Sequence, residues 1–240
     1  MEELKVTFEK APEGGLLTIL TGEAPTPLKL REKQPLSLEG SIRSIIDFAE
    51  KRKNIITPDK AHLIIDMNKG VAVLVIDDRE EIKTTVKGKL VRNKAFELFG
   101  VNDVNKLFVA KELRKLVQLN QHLFEKRNEA GDLLGKLEKF AVAIDSEFTD
   151  INDYRSEVVY NKTAKIKHQL PASIDLKLAV FADGPKEVIR ILLEIVPDGQ
   201  SIKIALVSPD LAEIEGNSVD IIMNELKEHA VLSLIPIVYV

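Results

Sequence analysis

The sequence predicts an α+β fold, mainly antiparallel sheet with a long helical hairpin in the middle and a C-terminal helix followed by a terminal strand. Three observations carry this. Apolar and polar residues alternate in short runs toward both ends of the 240-residue chain. Between about Asn102 and Phe148 the apolar spacing changes to three and four. Short turns rich in Gly, Pro, Asn and Asp join the strand-like runs, which favours antiparallel pairing. The helices come grouped instead of following each strand, which argues against a doubly wound parallel sheet. The expectation is a single domain over 1–240 with three lobes: strand-rich 1–100, helical 101–150 and strand-rich 151–240.

Leu4, Val6 and Phe8 alternate with charged residues, Gly14-Gly15 supplies a turn, and Leu16 to Thr21 can return as a hairpin. Pro25, Pro27 and Pro35 make Gly22 to Pro35 an extended connector. Ser41 then caps a helix whose Ile42, Ile45, Ile46 and Ala49 form one apolar stripe. His62 to Asp66 and Val71 to Asp77 flank Asn68-Lys69-Gly70, a tight-turn signal because Asn and Gly tolerate positive φ. Ile82 to Val91 reads as a third strand on that hairpin.

Val109, Leu113, Leu116, Val117 and Leu123 mark a long amphipathic helix, and Leu133, Leu137, Phe140, Ile144 and Phe148 a second. The polar stretch Glu125 to Glu129 folds them into a hairpin. Gly131 and Gly135 weaken the second helix by roughly 1 kcal/mol each relative to Ala. Strands follow at Val158 to Lys167, Ile174 to Phe181, Val188 to Val196 and Ile202 to Val207. Ser208-Pro209-Asp210 opens a short helix that Gly216 ends, and Val219, Ile222, Met223, Leu226 and Ala230 define another. Leu232 to Val240 reads as a strand apolar on both faces, buried in the chain's own sheet or completed by another subunit, with Pro236 suited to an edge.

Composition narrows the chemistry. The chain has no Cys, which excludes disulfides, thiolate zinc sites, iron–sulfur clusters and thiol nucleophiles. MEELKVTFEK carries neither a basic n-region nor an apolar h-region, and no apolar run approaches membrane-spanning length. A cytoplasmic protein with no membrane partner is therefore expected. No phosphate-cradling glycine loop, nucleophile elbow or S-x-x-K is present, so no catalytic residue and no cofactor are assigned. His62, His122, His168 and His229 lie tens of residues apart, unlike metal-binding pairs. Asp145, Glu147, Asp150 and Asp153 crowd one helix exit, whereas metal sites usually draw ligands from separate elements; no metal site is assigned. Asp66 and Asp77-Asp78 read as turn and edge charges.

The basic features are the most pointed. Arg79 to Arg127 holds 12 basic and 6 acidic residues, a local balance of +6 in a chain of net charge −4. Lys83, Lys87 and Lys89 alternate along one strand and share a face. Lys111, Arg114 and Lys115 share a helix face, and Lys165 and Lys167 point alike on a later strand. Spaced cations of this kind suit phosphates, although single-strand binders also use exposed aromatics, and Phe96 and Phe99 read more simply as core.

The order SLEGSIRSIIDF, AHLIIDMNKGVAVLVI, ELRKLVQL, DYR and HQLPASIDLKLAVF resembles a family of proteins of unknown function encoded by tailed phages, prophages and related mobile elements. The resemblance spans most of the chain and implies a setting, host cytoplasm near DNA metabolism or anti-defence, without giving any residue a role. The leading expectation is a non-enzymatic, homo-oligomeric accessory protein that binds a macromolecule, either nucleic acid or a host or phage protein. A metal-dependent nuclease or nucleotide-processing enzyme and a virion assembly or structural protein are the alternatives.

Overall fold

The computed structural model describes residues 35–148, 170–198 and 201–240. The chain divides into two units, Met1–Gln34 and Pro35–Val240, and every described residue belongs to the second. The expected hairpin and connector before Pro35 and the strand at Val158 to Lys167 lie outside the described residues.

Five strands form one sheet: β1 (Leu36–Ser41), β2 (Ala61–Asp66), β3 (Val71–Ile76), β4 (Thr84–Lys89) and β8 (Ile237–Tyr239), in the order β1-β4-β3-β2-β8. The β2–β3–β4 meander is antiparallel, as the Asn68-Lys69-Gly70 signal requires, and Gly70 takes φ 61° in that turn. Asp66 fixes the same turn by accepting from the Lys69 backbone N–H at 3.0 Å and from its Nζ at 2.8 Å. These hydrogen bonds hold the Asp66 carboxyl below its usual value and the Lys69 ammonium above its own. Both outer strands are parallel to their neighbours, β1 to β4 and β8 to β2. A parallel neighbour needs a long crossover, which short-turn reasoning does not reveal.

Helix α1 (Ile42–Lys51) follows β1 with no intervening residue, and its buried side chains are the four of the apolar stripe, Ile42, Ile45, Ile46 and Ala49. It lies on β4, β1 and β3. Gly40 and Gly88, opposite each other in the β1–β4 register, make room for it. Ser41 occupies the N-cap position, but its hydroxyl makes no cap bond; the Asp183 carboxylate instead accepts from the Arg43 N–H at 3.1 Å. A missing cap costs about 1 kcal/mol, less than the roughly 1.5–3 kcal/mol from burying each isoleucine.

A second sheet orders β5 (Ser173–Leu178), β6 (Glu187–Asp198) and β7 (Ser201–Val207) antiparallel. Ile174, Leu176, Leu178, Ile189, Ile191 and Leu193 are buried on one face of β5 and β6. The helical hairpin is α3 (Ala110–Leu119) and α4 (Arg127–Phe148), which pack on each other. Their Leu113, Val117, Leu133, Leu137 and Phe140 join the same continuous core as both sheets. The first of these helices is shorter than expected: it stops at Asn120, and Leu123 belongs to a separate 3₁₀ turn. Bridges Phe108–Ile204 and Phe124–Leu176 stitch the hairpin's flanks to the small sheet.

Helix α2 (Lys94–Phe99) is an element the periodicity missed. The Asn93 side chain caps it by accepting from Ala95 N–H, and Gly100 ends it at φ 57°. It buries Phe96 and Phe99, as expected of core residues. Arg92 stands beside it, with its guanidinium 4.9 Å from the Phe181 ring centroid, 5.5 Å from that of Phe96, and 2.6 Å from the Glu215 carboxylate.

Three expectations about the C-terminal region are corrected. Helix α5 (Leu211–Glu228) runs unbroken through Gly216, and its N-cap is Asp210, not Ser208. One exposed glycine costs about 1 kcal/mol, which burial of Leu211, Ile222, Met223 and Leu226 outweighs. Leu232–Leu234 is a 3₁₀ turn, so the strand is only Ile237–Tyr239 and lies at the sheet edge with Pro236 just before it. A Cβ at Gly131, Gly135 or Gly216 would meet nothing within 4 Å. Gly131→Ala, Gly135→Ala and Gly216→Ala should therefore each stabilise the protein by about 0.4–1 kcal/mol in urea unfolding. A loss of stability in any of the three would contradict the open helix faces.

Candidate functional site

Alternation along the five-stranded sheet sorts its side chains into two faces. Leu63, Ile65, Ala72, Leu74, Ile76 and Val86 are buried on the face that carries α1. The opposite face is built in rows by the register. Glu39, Lys87, Val73, Ile64 and Val238 form one row, and Ser41, Lys89, Val71 and Asp66 the next. Lys87 and Lys89 are exposed on this face beside half-buried Val71, Val73 and Ile64. Lys83 is exposed one residue before β4. The structure thus places Lys83, Lys87 and Lys89 on or next to one strand, on a partly apolar sheet face between β1 and β3. Glu39, directly across from Lys87 on β1, is the acidic neighbour that lowers the local positive potential.

Lys111, Arg114 and Lys115 are exposed on α3, in the helical hairpin and not in the sheet. Arg114 Nη2 is 3.3 Å from Glu138 Oε2 of α4, a contact that ties the two helices together. Lys165 and Lys167 lie outside the described residues, as do Asp150, Asp153 and His168. Among the described residues no group of three His, Asp or Glu side chains is close enough to hold a metal ion.

One pairing was not apparent from sequence spacing. His62 Nδ1 lies 3.0 Å from Asp78 Oδ2, with both side chains 27% exposed. Asp78 is held in turn by its N–H, which donates to the Lys60 carbonyl at 3.0 Å. A carboxylate–imidazole pair can position a general base, so the neighbouring groups decide its role. In the register His62 is followed by Val75 and then Thr85. At about 4.8 Å per strand the Thr85 hydroxyl is roughly 10 Å away, outside hydrogen-bond reach. With Val75 between them, the pair lacks a hydroxyl nucleophile from that row and acts as a clasp between β2 and the β3–β4 connection. His122 is exposed, and His229 is half-buried.

A groove of about 420 Å³ runs between β7 and the 102–107 loop. Val104, Leu107, Val196, Ala205 and Val207 make it largely apolar, and its charged lining residues are Asp103 and Glu194. Among the described lining residues the two carboxylates have no base or cation beside them, which makes the groove a poor candidate for acid–base chemistry. Among the described residues no helix is long and apolar enough to cross a membrane. No protein-family model, curated protein or solved structure matches the chain.

Proposed function

We propose that this protein is a non-enzymatic accessory protein of a phage or mobile element that binds nucleic acid along the exposed face of β4 in its five-stranded sheet. The observation that carries the reading is the exposure of Lys87 and Lys89 on one face of β4, with Lys83 just ahead. Cations spaced two residues apart on a strand recur about every 6.6–6.8 Å, close to the phosphate repeat along a nucleic-acid strand (about 6–7 Å in extended single strands). The half-buried Val71, Val73 and Ile64 beside them offer apolar surface for bases or sugars. Of the Arg79 to Arg127 segment with its +6 balance, Lys83, Lys87 and Lys89 are the cations on or next to this strand, and the resemblance to phage-encoded proteins supplies the setting. Arg114, already engaged with Glu138, contributes less than the β4 lysines.

Fluorescence anisotropy with short DNA and RNA probes tests this. If Lys83, Lys87 and Lys89 each reach a phosphate, log K should fall against log salt with a slope of about −2.7 on duplex DNA. Each single Lys→Gln change should remove about 0.9 of that slope, with the same loss for every sequence. Lys87→Glu with Lys89→Glu should abolish binding while leaving the melting temperature unchanged. Undetectable binding to single- and double-stranded DNA and RNA at low salt would sink the reading.

A further inference from the structure

The edge strand β8 leaves part of its backbone hydrogen-bonding capacity unused within the sheet. Among the described residues it closes one side of the five-stranded sheet, parallel to β2, with Leu63, Ile64 and Ile65 opposite Ile237, Val238 and Tyr239. The Pro236 carbonyl accepts from Leu63 N–H at 2.9 Å, and Val240 N–H donates to the Ile65 carbonyl at 3.1 Å. Residues 236 and 240 thus direct backbone groups toward β2, and strand alternation gives Val238 the same direction. The N–H and C=O groups of Ile237 and Tyr239 therefore face outward from the sheet.

An open edge of this kind is normally blunted by charge or by a covering element. Here its side chains are apolar and exposed: Val238 is 45% exposed, Tyr239 58% and the following Val240 69%. Neither β8 residue flanking Val238 is charged, and the Lys227 ammonium lies over the Tyr239 ring at 5.4 Å. Pro236 lacks an N–H, but that position faces β2, so its absence leaves no gap in the outward row.

We infer that two copies of the chain associate through antiparallel β8–β8 pairing about a two-fold axis at Val238, joining two five-stranded sheets into one of ten strands. The outward groups are symmetric about that residue, which is the condition an isologous contact imposes. Ile237 of one copy falls opposite Tyr239 of the other in a hydrogen-bonded pair. The two such pairs supply four N–H···O=C bonds. Val238 meets Val238 of the second copy in the close, non-hydrogen-bonded position. Ile–Tyr and Val–Val are favourable cross-strand neighbours, and displacing the register by two residues would remove half of the hydrogen bonds. A three-residue strand with Val240 at its margin covers less than a standard interface of about 800 Å² per partner, so the dimer should dissociate on dilution.

The chain has no cysteine of its own, so an introduced one reports on this axis alone. The non-hydrogen-bonded Cα separation of about 4.5 Å lies within disulfide range. Full-length Val238→Cys under mild oxidation should form a covalent dimer rapidly. Val104→Cys, on an 86% exposed side chain elsewhere, is the collisional control and should not. In sedimentation velocity up to about 1 mM the unmodified chain should shift from monomer to dimer with concentration. Val238→Lys places like charges across the axis and should stay monomeric at every concentration with its melting temperature retained. A chain that remains monomeric throughout, a Val238→Lys protein that dimerises as before, or Val238→Cys cross-linking no faster than Val104→Cys would each overturn the proposal.

Discussion

Gly88→Ala is expected to cost about 3 kcal/mol of stability, the upper end of what overpacking does in a filled core, and Gly88→Val to leave little folded protein. A Cβ on Gly88 would stand 2.9 Å from Ile42 Cα, from the Ser41 carbonyl oxygen and from Ile45 Cδ1. Two of these three atoms are backbone at the junction where β1 becomes α1, and no rotamer change moves them away. A domain of this kind is typically stable by only about 5–15 kcal/mol, so displacing α1 from β4 consumes a large part of the margin. The same Gly→Ala change should stabilise at Gly131 and destabilise at Gly88. Urea unfolding of the two variants side by side measures that opposition. Equal stability for Gly88→Ala and the unmodified protein would mean that the helix does not seat on β4 as described.

Asn102→Ala should be nearly as damaging, by about 3 kcal/mol. Asn102 adopts φ 60° and its amide imitates a strand partner. The Ser208 N–H donates to its Oδ1 at 2.8 Å and its Nδ2 donates to the Ser208 carbonyl at 2.8 Å. Its own N–H donates to the Leu206 carbonyl at 2.9 Å. One side chain thereby carries the ladder past the end of β7, against a Ser208 that is only 1% exposed. Losing both amide bonds strands two backbone groups at about 1 kcal/mol each, and Ala at positive φ adds roughly 1 kcal/mol of strain. Asn102→Gly separates the two contributions, because it relieves the strain and still loses the amide. It should lose about 2 kcal/mol in guanidinium unfolding; full stability would show that the amide pairing contributes nothing.

What was legible in the sequence follows the range over which the cause acts. Ile42, Ile45, Ile46 and Ala49 announced α1, and Asn68-Lys69-Gly70 announced the β2–β3 turn, because both signals are contained within one element. The segment β1 was not assigned, since Leu36 and Leu38 sit at the sheet margin, 46% and 39% exposed, and its pairing with β4 spans the whole of α1, β2 and β3. Helix α2 was missed although Asn93 and Gly100 punctuate it, because six residues show too little of a period of 3.6. Gly216 was over-read as a stop, when its open surroundings let the helix pass. In the candidate site, the shared face of Lys87 and Lys89 needed only the period of two. The opposition of Glu39 to Lys87 depends on parallel pairing, and that of His62 to Asp78 on the clasp beyond the hairpin's far end; neither leaves a trace in local spacing.

The parallel attachment of β8 to β2 joins Leu63 to Ile237 across nearly the whole described chain, whereas β2, β3 and β4 meet through short turns. Closing so long a loop is entropically expensive until other contacts have shortened it. The meander can therefore assemble early, and β8 is expected to dock late, Val238→Ala changing the unfolding rate more than the folding rate. Interactions formed after the rate-limiting step govern how fast a protein comes apart more than how fast it goes together. The terminal strand then acts as a latch on the finished sheet: weakening it would shorten the lifetime of the folded molecule without slowing its formation.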